Sequence, residues 1–223
     1  MNSELFIAKL TERLQSPLPG LKVQLKMAPL GRIMKLTKYL KSNNPKRSGV
    51  LILLFPKENS LFFILTQRHL YEGMHSGQIC LPGGKYEKID KDLFHTAIRE
   101  SQEEINADAS RIKKIGMLSE LYVPPSHFSI QPYVGYTDSQ PDLKKQPEEV
   151  NEIILTDLFA FISNPLIRKK QIPTNRKITI SAPYYEIGGY TVWGATAMIL
   201  SEFFFIADEV LKRDKKHQSL LAK

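Results

Sequence analysis

The sequence predicts an α/β fold in which helices pack on the faces of a mixed β-sheet. Short runs rich in Val, Ile, Leu and Tyr occur through most of the chain and are typical of strands. Helical periodicity is confined to a few segments, and strands and helices do not alternate regularly, which disfavours a Rossmann-type sheet. With 223 residues and 42% hydrophobic content, the chain is expected to fold around one sizeable core.

Four segments have the spacing of apolar residues that is typical of helices. The first covers residues 3–15 and is ended by the turn Pro17-Leu-Pro-Gly20. A second, basic helix is predicted over residues 31–42, and a third over 91–105. The last, over residues 195–212, is apolar enough that we expect it to be largely buried.

The first two predicted strands, residues 49–55 and 61–67, are joined by a short polar turn and are expected to form a hairpin. The other segments with strand-like composition are 78–81, 112–122, 129–136, 150–155 and 178–187. We therefore expect three regions along the chain. They are a basic helical extension over residues 1–45, the main domain over 46–212 and a C-terminal tail over 213–223.

Composition limits the environment and the partners of the chain. No run approaches the roughly 20 apolar residues that a membrane-spanning helix needs, and the first residues lack the pattern of a signal peptide. The single cysteine, Cys80, excludes an internal disulfide and fits a reducing compartment, so a cytoplasmic location is expected. The oligomeric state stays open, with a homodimer as one option.

The net charge of +8 favours an anionic partner. The positive charge is concentrated between Arg13 and Lys57, where the sequence has no acidic residue but contains Lys22, Lys26, Arg32, Lys35, Lys38, Lys41, Lys46 and Arg47. This segment has two interpretations, a solvated basic face or a surface that binds substrate or a polyanion, and composition does not choose between them.

Three carboxylates lie close together on the helix predicted over residues 91–105. At about 100° per residue, Glu100, Glu103 and Glu104 share one flank. The stripe expected to face the core lies away from that flank and consists of Phe94, Ala97, Ile98, Ser101 and Ile105. Like charges at this spacing repel each other, so a bound divalent cation would stabilise the cluster. Oxygen ligands favour Mg²⁺ or Mn²⁺ over zinc.

A solvated acidic helix face is the alternative explanation for these carboxylates, and the preceding loop argues against it. The turn Pro82-Gly83-Gly84 leads toward the helix. Glycines let a backbone approach a phosphate or offer a carbonyl to a metal, and a helix N-terminus favours anions. Loop and helix together predict a site for a metal-bound diphosphate.

This segment resembles the Nudix box, G-x5-E-x7-R-E-U-x-E-E-x-G-U, where U is aliphatic. Gly84 matches the first glycine, and Asp90 stands at the first glutamate. The R-E and E-E pairs of the motif correspond to Arg99-Glu100 and Glu103-Glu104. The segment departs from the motif in having eight residues between Asp90 and Arg99, in Ser101 at an aliphatic position, and in Asn106 at the last glycine. Asp90 keeps a carboxylate, and Asn suits a left-handed helix C-cap.

The longer spacing after Asp90 is similar to the coenzyme A pyrophosphatase branch of this family. The flanks resemble that branch too, since Leu65-Thr-Gln-Arg68 and the run from Met74 to Gly84 match its LTxR and HxGxxxFPGG patterns. Weaker similarities follow at Ile130–Gly135, Glu149-Val150 and Val192–Ala197, so the resemblance covers about residues 47–207.

The resemblance implies a Nudix α/β/α sandwich with a mixed β-sheet and a set of site residues. Glu100 and Glu104 would be the main ligands of Mg²⁺ or Mn²⁺, Glu103 a third ligand or the general base, and Gly83 would offer its carbonyl. Glu149, preferred over Glu152, is the other candidate base. The substrate would be bound by Gly84, Arg68 and His75, and Arg68 would bind the 3′-phosphate of coenzyme A. Arg99 would support catalysis by pairing with Asp90.

The activity implied is metal-dependent hydrolysis of coenzyme A or acyl-coenzyme A to 3′,5′-ADP and 4′-phosphopantetheine or its acyl form. Two alternatives stay open. One is a Nudix hydrolase of ADP-ribose, NADH or another nucleoside diphosphate derivative. The other is a catalytically silent Nudix domain that binds nucleotide or RNA, which the complete carboxylate cluster disfavours. We thus expect a small-molecule diphosphate partner rather than nucleic acid or a membrane.

Overall fold

The computed structural model describes residues 2–29, 44–70, 76–173 and 179–221 of the chain. The helix predicted over residues 31–42 lies outside these ranges, and so does His75. Within them the helices are α1 (Ser3–Leu14), α2 (Leu21–Gln24), α3 (Leu93–Ile105), α4 (Leu158–Ser163) and α5 (Gly194–Leu221). Short 3-10 helices cover Leu25–Met27 and Ala109–Arg111.

The strands form one large and one small sheet. The strands of the large sheet are β1 (Lys46–Lys57), β2 (Ser60–Arg68), β3 (Ile79–Cys80), β4 (Gly83–Lys85), β5 (Lys113–Met117), β6 (Leu121–Val123), β7 (Phe128–Tyr136) and β8 (Val150–Asp157). The small antiparallel sheet has the order β11-β10-β9 and consists of β9 (Ile167–Pro173), β10 (Thr179–Ile187) and β11 (Tyr190–Trp193).

The large sheet is mixed, as the sequence predicts. Its main path is β3-β2-β1-β7-β5, in which β1 and β7 are parallel while β1 and β2 form the predicted antiparallel hairpin. β4 pairs with the first half of β1, and β8 pairs with β2. β3 and β4 thus lie side by side near the point where β1 and β2 separate, which brings the glycine turn 83–84 to this end of the sheet.

Strand β1 shows why the sheet needs a helical layer on each face. Its run Leu51–Phe55 is fully buried. Leu51, Leu53 and Phe55 belong to the cluster beneath α3, whereas Ile52 and Leu54 belong to the cluster that contains α1 and α5. Successive side chains of a strand point to opposite faces, so a continuous apolar run requires cover on both. The predicted α/β/α sandwich is confirmed.

The N-terminal segment packs into the same core as the main domain. Asn2 caps α1, because its side chain accepts a hydrogen bond from the Leu5 amide at 2.8 Å, and the helix buries Phe6 and Leu10 completely. On α5, the buried Glu202 accepts hydrogen bonds from the Gly20 amide at 2.9 Å and from the Gln24 side chain at 2.9 Å. Residues 2–29 are therefore joined to the domain by apolar contacts and by a buried carboxylate.

The structure departs from the predicted elements in several places. The segment 112–122, predicted as one strand, is divided into β5 and β6, and the Glu202 carboxylate binds the Ser119 amide at 3.2 Å in the turn between them. The sequence did not predict α2, α4, β4, β9 or β11. α5 continues to Leu221 through most of the expected tail. Among the helices that the structure describes, none combines the length and apolar character that crossing a bilayer requires.

Candidate active site

Strand β4 contains both glycines of the turn and pairs with strand β1. Gly83 pairs with Val50 and Gly84 with Gly49. Gly83 has φ +142°, and a Cβ there would lie 2.4 Å from the Gly49 carbonyl oxygen. Only glycine tolerates both conditions, so the turn runs directly against β1.

Helix α3 has well-defined ends that fix its carboxylates in place. The Asp92 side chain caps its first turn by accepting a hydrogen bond from the His95 amide at 2.9 Å. Asn106 ends it in the left-handed conformation, with φ +57°, and donates its amide to the Gln102 carbonyl at 3.0 Å. Asparagine at the position of the motif's last glycine therefore keeps the backbone geometry that the motif needs.

Arg99 and the buried Asp90 form a bidentate ion pair. Arg99 Nε donates to Asp90 Oδ1 at 2.9 Å, and a terminal nitrogen donates to Oδ2 at 3.2 Å. Asp90 also accepts hydrogen bonds from the Thr96 hydroxyl at 2.8 Å and the Glu87 amide at 2.9 Å. These donors, Arg99 first, lower the Asp90 pKa to about 2. The pair ties the loop 86–92 to the second turn of α3.

Glu104 corrects the helical-wheel prediction. The carboxylate cluster was expected on a flank away from the core, yet Glu104 is only 5% exposed, while Phe94 and Ile98 are half-buried. The buried face of α3 is rotated toward Glu104 because β4 packs beside it. The Gly83 amide donates to Glu104 Oε2 at 3.2 Å. The Gly83 amide thus contacts the Glu104 carboxylate, and the contact of its carbonyl with a metal ion stays a prediction.

Burial raises the Glu104 pKa to about 8. The Gly83 hydrogen bond and the positive charge of Arg68 lower this pKa, whereas the negative charges of Glu100 and Glu149 raise it. Glu104 is therefore a buried carboxyl group with two other carboxylates near it.

Glu100 lies directly against Gly84. A Cβ at Gly84 would be 2.3 Å from the Glu100 carboxyl carbon, so the missing side chain leaves the space that this carboxylate occupies. Burial raises the Glu100 pKa, the Arg99 charge opposes the shift, and the charges of Glu103 and Glu149 add to it. Gly84 thus accommodates Glu100 as well as shaping the turn.

Glu103 faces solvent and is bound to Arg99. Its side chain is 54% exposed, and its Oε2 accepts a hydrogen bond from Arg99 at 2.9 Å. Arg99 also contacts Glu100 Oε1 at 2.9 Å. One guanidinium therefore contacts Asp90 and two of the three helix carboxylates, which the sequence pattern did not reveal.

Glu149 reaches the site at the end of a loop that binds the C-terminal turn of α3. In this loop the Gln146 amide donates to the Glu104 carbonyl at 2.9 Å, and the Glu149 carbonyl accepts from the His69 amide at 2.8 Å. Glu149 is exposed, and its charge acts on both Glu100 and Glu104. Glu152, the competing candidate, instead accepts a hydrogen bond from the Tyr190 hydroxyl.

Arg68 and Cys80 also lie near Glu104. Arg68 donates its amide to the Gln78 carbonyl at 3.0 Å, and its charge acts on Glu104 and on Cys80. Burial, followed by the charge of Glu104, raises the Cys80 pKa to about 11. The thiol therefore stays protonated at neutral pH. Sequence reasoning gave Cys80 no place in the site, since nothing in a lone cysteine of a short strand indicates such a neighbour.

The residues fit a hard divalent cation in charge and donor type. Among the residues that the structure describes, no three acidic, His or Cys side chains already surround a single point, and Arg99 contacts Glu100 and Glu103 instead. Glu100 and Glu104 nevertheless have raised pKa values and mutually repelling charges near them. An ion held by their oxygens would offset both burial and repulsion, and oxygen ligands suit Mg²⁺ or Mn²⁺.

The fold and the glycine turn followed by a helix with Arg99, Glu100 and Glu104 define a Nudix domain, and the Nudix domain family matches residues 45–173. This chain belongs to the Nudix family. Among its relatives is Nudix hydrolase 15, mitochondrial, of Arabidopsis thaliana, which is 34% identical over 162 residues, covering 70% of this chain and 56% of the relative.

A second relative is the mouse peroxisomal coenzyme A diphosphatase NUDT7, which is 29% identical over 134 residues, covering 60% of this chain and 55% of that protein. A solved MutT/nudix family protein from Enterococcus faecalis is 15% identical with a TM-score of 0.48, covering 84% of this chain and 73% of that one. The chain spans only about half the length of the first curated relatives it matches, 53% to 56%.

Proposed function

We propose that this chain hydrolyses the pyrophosphate bond of coenzyme A or acyl-coenzyme A with Mg²⁺ or Mn²⁺, yielding 3′,5′-ADP and 4′-phosphopantetheine or its acyl form. The proposal rests on the carboxylates of Glu100, Glu104 and Glu149, which lie close enough for their charges to act on one another. Glu100 lies against Gly84 of the turn, and the charge of Arg68 acts on Glu104. The substrate is supported by the flanking motifs of the sequence and by similarity to a coenzyme A diphosphatase.

A divalent ion at this site would supply positive charge to the diphosphate and make a water molecule a stronger acid. Glu104 and Glu100 would hold the ion, with the Gly83 amide fixing the orientation of Glu104. Arg68 lies close enough to Glu104 for its charge to act there, which suits a contact with the diphosphate itself. Hydrolysis by direct attack of water on phosphorus then needs one more group, a base.

Glu149 is the base that we propose. It is exposed, and its charge acts on both Glu100 and Glu104. Glu103, the other candidate, is engaged in an ion pair with Arg99 at 2.9 Å, which orients its carboxylate toward the guanidinium. Arg99 itself supports the site by holding Asp90 and Glu100 and is a positioning residue.

Two other functions remain as alternatives. A Nudix hydrolase of ADP-ribose, NADH or another nucleoside diphosphate derivative would use the same carboxylates, and only the substrate would differ. A silent nucleotide- or RNA-binding domain is disfavoured because it has no use for a buried Glu104 that costs free energy to ionise. We also propose a small-molecule partner and a cytoplasmic location, on the composition and the single cysteine.

One experiment tests the proposal. The full chain is incubated with coenzyme A, acetyl-coenzyme A, ADP-ribose, NADH and diadenosine polyphosphates, each with Mg²⁺ or Mn²⁺, and products are identified by mass. We expect 3′,5′-ADP and phosphopantetheine species as the fastest products. Faster cleavage of ADP-ribose or NADH would overturn the substrate, and no cleavage of any compound would overturn the activity.

The assignment of the base has its own control. Glu149→Gln should lower turnover strongly, whereas Glu148→Gln, a neighbouring exposed residue, should leave it unchanged. General-base assistance contributes about 10²- to 10⁴-fold. If the two variants have equal turnover, Glu149 is not the base and another carboxylate must serve instead.

A further inference from the structure

A cleft of about 440 Å³ opens next to the proposed catalytic site, at the end of the large sheet where β2 and β3 pair. It lies between the small sheet and the segment 76–79, and Gln67 on β2 also lines it. The small sheet is anchored there because Tyr185, Ile187 and Val192 are buried in the main core and the Thr196 hydroxyl donates to the Ile79 carbonyl at 3.1 Å. The cleft is therefore a built part of the fold.

The cleft begins one residue away from the proposed catalytic site. Gln67 precedes Arg68, and Gln78 accepts the Arg68 amide hydrogen bond at 3.0 Å. Since neighbouring side chains of a strand point to opposite faces, the cleft and the carboxylates lie on two sides of the same strand ends. A substrate whose diphosphate is at the carboxylates can pass over this edge into the cleft.

The residues that line the cleft suit a ligand that carries both a negative charge and an aromatic ring. Lys170 lines the cleft and makes no ion pair or hydrogen bond with any residue that the structure describes. None of the described residues that form its wall is acidic. By contrast, the neighbouring Arg168 is neutralised by Glu186 at 3.1 Å. Lys170 is thus the cation on β9 that is available to an anion in this cleft.

Aromatic rings and amides complete the wall. Trp193 and Tyr190 both line the cleft, and the Tyr190 hydroxyl is held by Glu152. Aromatic faces stack with nucleic acid bases, an interaction of about 1 to 3 kcal/mol per base. The side chain of Gln171 lines the cleft and has both a donor and an acceptor for the edge of a base, whereas the Gln67 side chain is held by Asn151 at 2.6 Å.

We propose that this cleft binds the phosphorylated nucleoside half of the substrate, with Lys170 contacting a ribose phosphate outside the diphosphate and Trp193 stacking on the base. The inference rests on the proposed function, since it names the part of that substrate which the cleft selects. The other half, pantetheine, has neither an additional negative charge nor an aromatic ring and has no use for this pairing. Lys170, rather than Arg68, then distinguishes coenzyme A from dephospho-coenzyme A.

The chain contains one tryptophan, so the fluorescence of Trp193 reports on the cleft directly. Full-length protein is titrated with 3′,5′-ADP, 5′-AMP and 4′-phosphopantetheine, and calorimetry on the same samples gives each dissociation constant. We expect saturable quenching by 3′,5′-ADP and binding of 5′-AMP that is roughly tenfold weaker, because a charge-assisted contact is lost. Quenching by 4′-phosphopantetheine but not by 3′,5′-ADP would overturn the assignment.

Lys169 supplies a matched control for Lys170. It is exposed on the same strand, and it does not line the cleft. Lys170→Gln should abolish the preference for 3′,5′-ADP over 5′-AMP and raise KM for coenzyme A about tenfold without changing KM for dephospho-coenzyme A. Lys169→Gln should retain both preferences. Equal behaviour of the two variants would overturn the role of Lys170.

These experiments distinguish failure of the cleft assignment from failure of the proposed function. If 3′,5′-ADP binds as expected but coenzyme A is not hydrolysed, the proposed function fails while the nucleoside site stands. If coenzyme A is hydrolysed and 3′,5′-ADP binds equally well to parent and Lys170→Gln proteins, the cleft assignment fails while the proposed function stands.

Discussion

Arg99 Nε and a terminal nitrogen of the same guanidinium bind both oxygens of the Asp90 carboxylate, at 2.9 and 3.2 Å. Asp90 is 6% exposed, so the pair is shielded from water by the loop 86–92 and α3. The same guanidinium reaches Glu100 and Glu103. A single side chain thus links the stability of the loop to the orientation of the carboxylates.

The first prediction concerns the pH dependence of this pair. The Asp90 pKa is lowered from 3.8 to about 2, so the pair stabilises the folded state above pH 4 and this stabilisation is lost as the pH falls toward 2. Asp90→Asn should lower the free energy of unfolding by about 2 kcal/mol at neutral pH, with a smaller gap between parent and variant below pH 4. Chemical denaturation at several pH values measures it. A gap that is constant from pH 2 to 7 would contradict the ion pair as its source.

The second prediction separates Glu104 from its neighbour Glu103. Glu104→Gln keeps the shape of a buried, protonated carboxyl group and should leave the fold intact, yet it should reduce turnover by at least about 100-fold because the charge that holds the metal is gone. Glu103→Gln, at an exposed site paired with Arg99, should cause a smaller loss. Turnover is measured at saturating substrate and metal. If Glu103→Gln is equally inactive, Glu103 must leave Arg99 and join the metal site.

The third prediction concerns metal binding and pH. Burial raises the Glu104 pKa from 4.5 to about 8, so the folded protein without metal holds a proton that the unfolded chain releases, and its stability falls as the pH rises from about 4.5 to 8. A metal ion must displace that proton, so its affinity should drop about tenfold for each pH unit below 8. The rise in Tm caused by Mg²⁺ or Mn²⁺ should therefore be larger at pH 8.5 than at pH 6.5.

Chelation and Glu104→Gln provide the controls for this measurement. EDTA should abolish both the rise in Tm and turnover, and the variant should show little metal-dependent stabilisation at either pH. A rise in Tm that is independent of pH in the parent protein would mean that the ion binds away from Glu104.

The fourth prediction concerns Arg68. The sequence suggests that Arg68 reads the 3′-phosphate of coenzyme A, but in the structure its charge acts on Glu104, beside the proposed position of the diphosphate. Arg68→Ala should therefore lower kcat/KM for coenzyme A and for dephospho-coenzyme A by similar factors, about tenfold to 100-fold. Steady-state kinetics on the two substrates decide the matter. A decrease in kcat/KM for coenzyme A alone would show that Arg68 binds the 3′-phosphate.

The sequence by itself determined the parts of this protein that depend on local periodicity and spacing. The apolar run of β1 and its polar turn specified the hairpin with β2, and the motif from Gly84 to Glu104 specified a loop and helix with acidic residues. Asn106 could be assigned to a left-handed C-cap because that conformation depends on one residue and its helix. These features are encoded within short segments, so no knowledge of distant contacts was needed.

Only the tertiary structure decided which polar groups are buried and which distant segments meet. Glu104 is buried because β4 packs beside α3, whereas a wheel drawn from apolar residues placed it on an outward flank. The basic strand β9 has no alternating pattern to reveal it, since nearly all of it is exposed at the edge of a sheet. The cleft that joins Lys170, Trp193 and Gln67 arises from the packing of that small sheet against the end of β2, because long-range contacts, unlike periodicity, leave no local mark in the sequence.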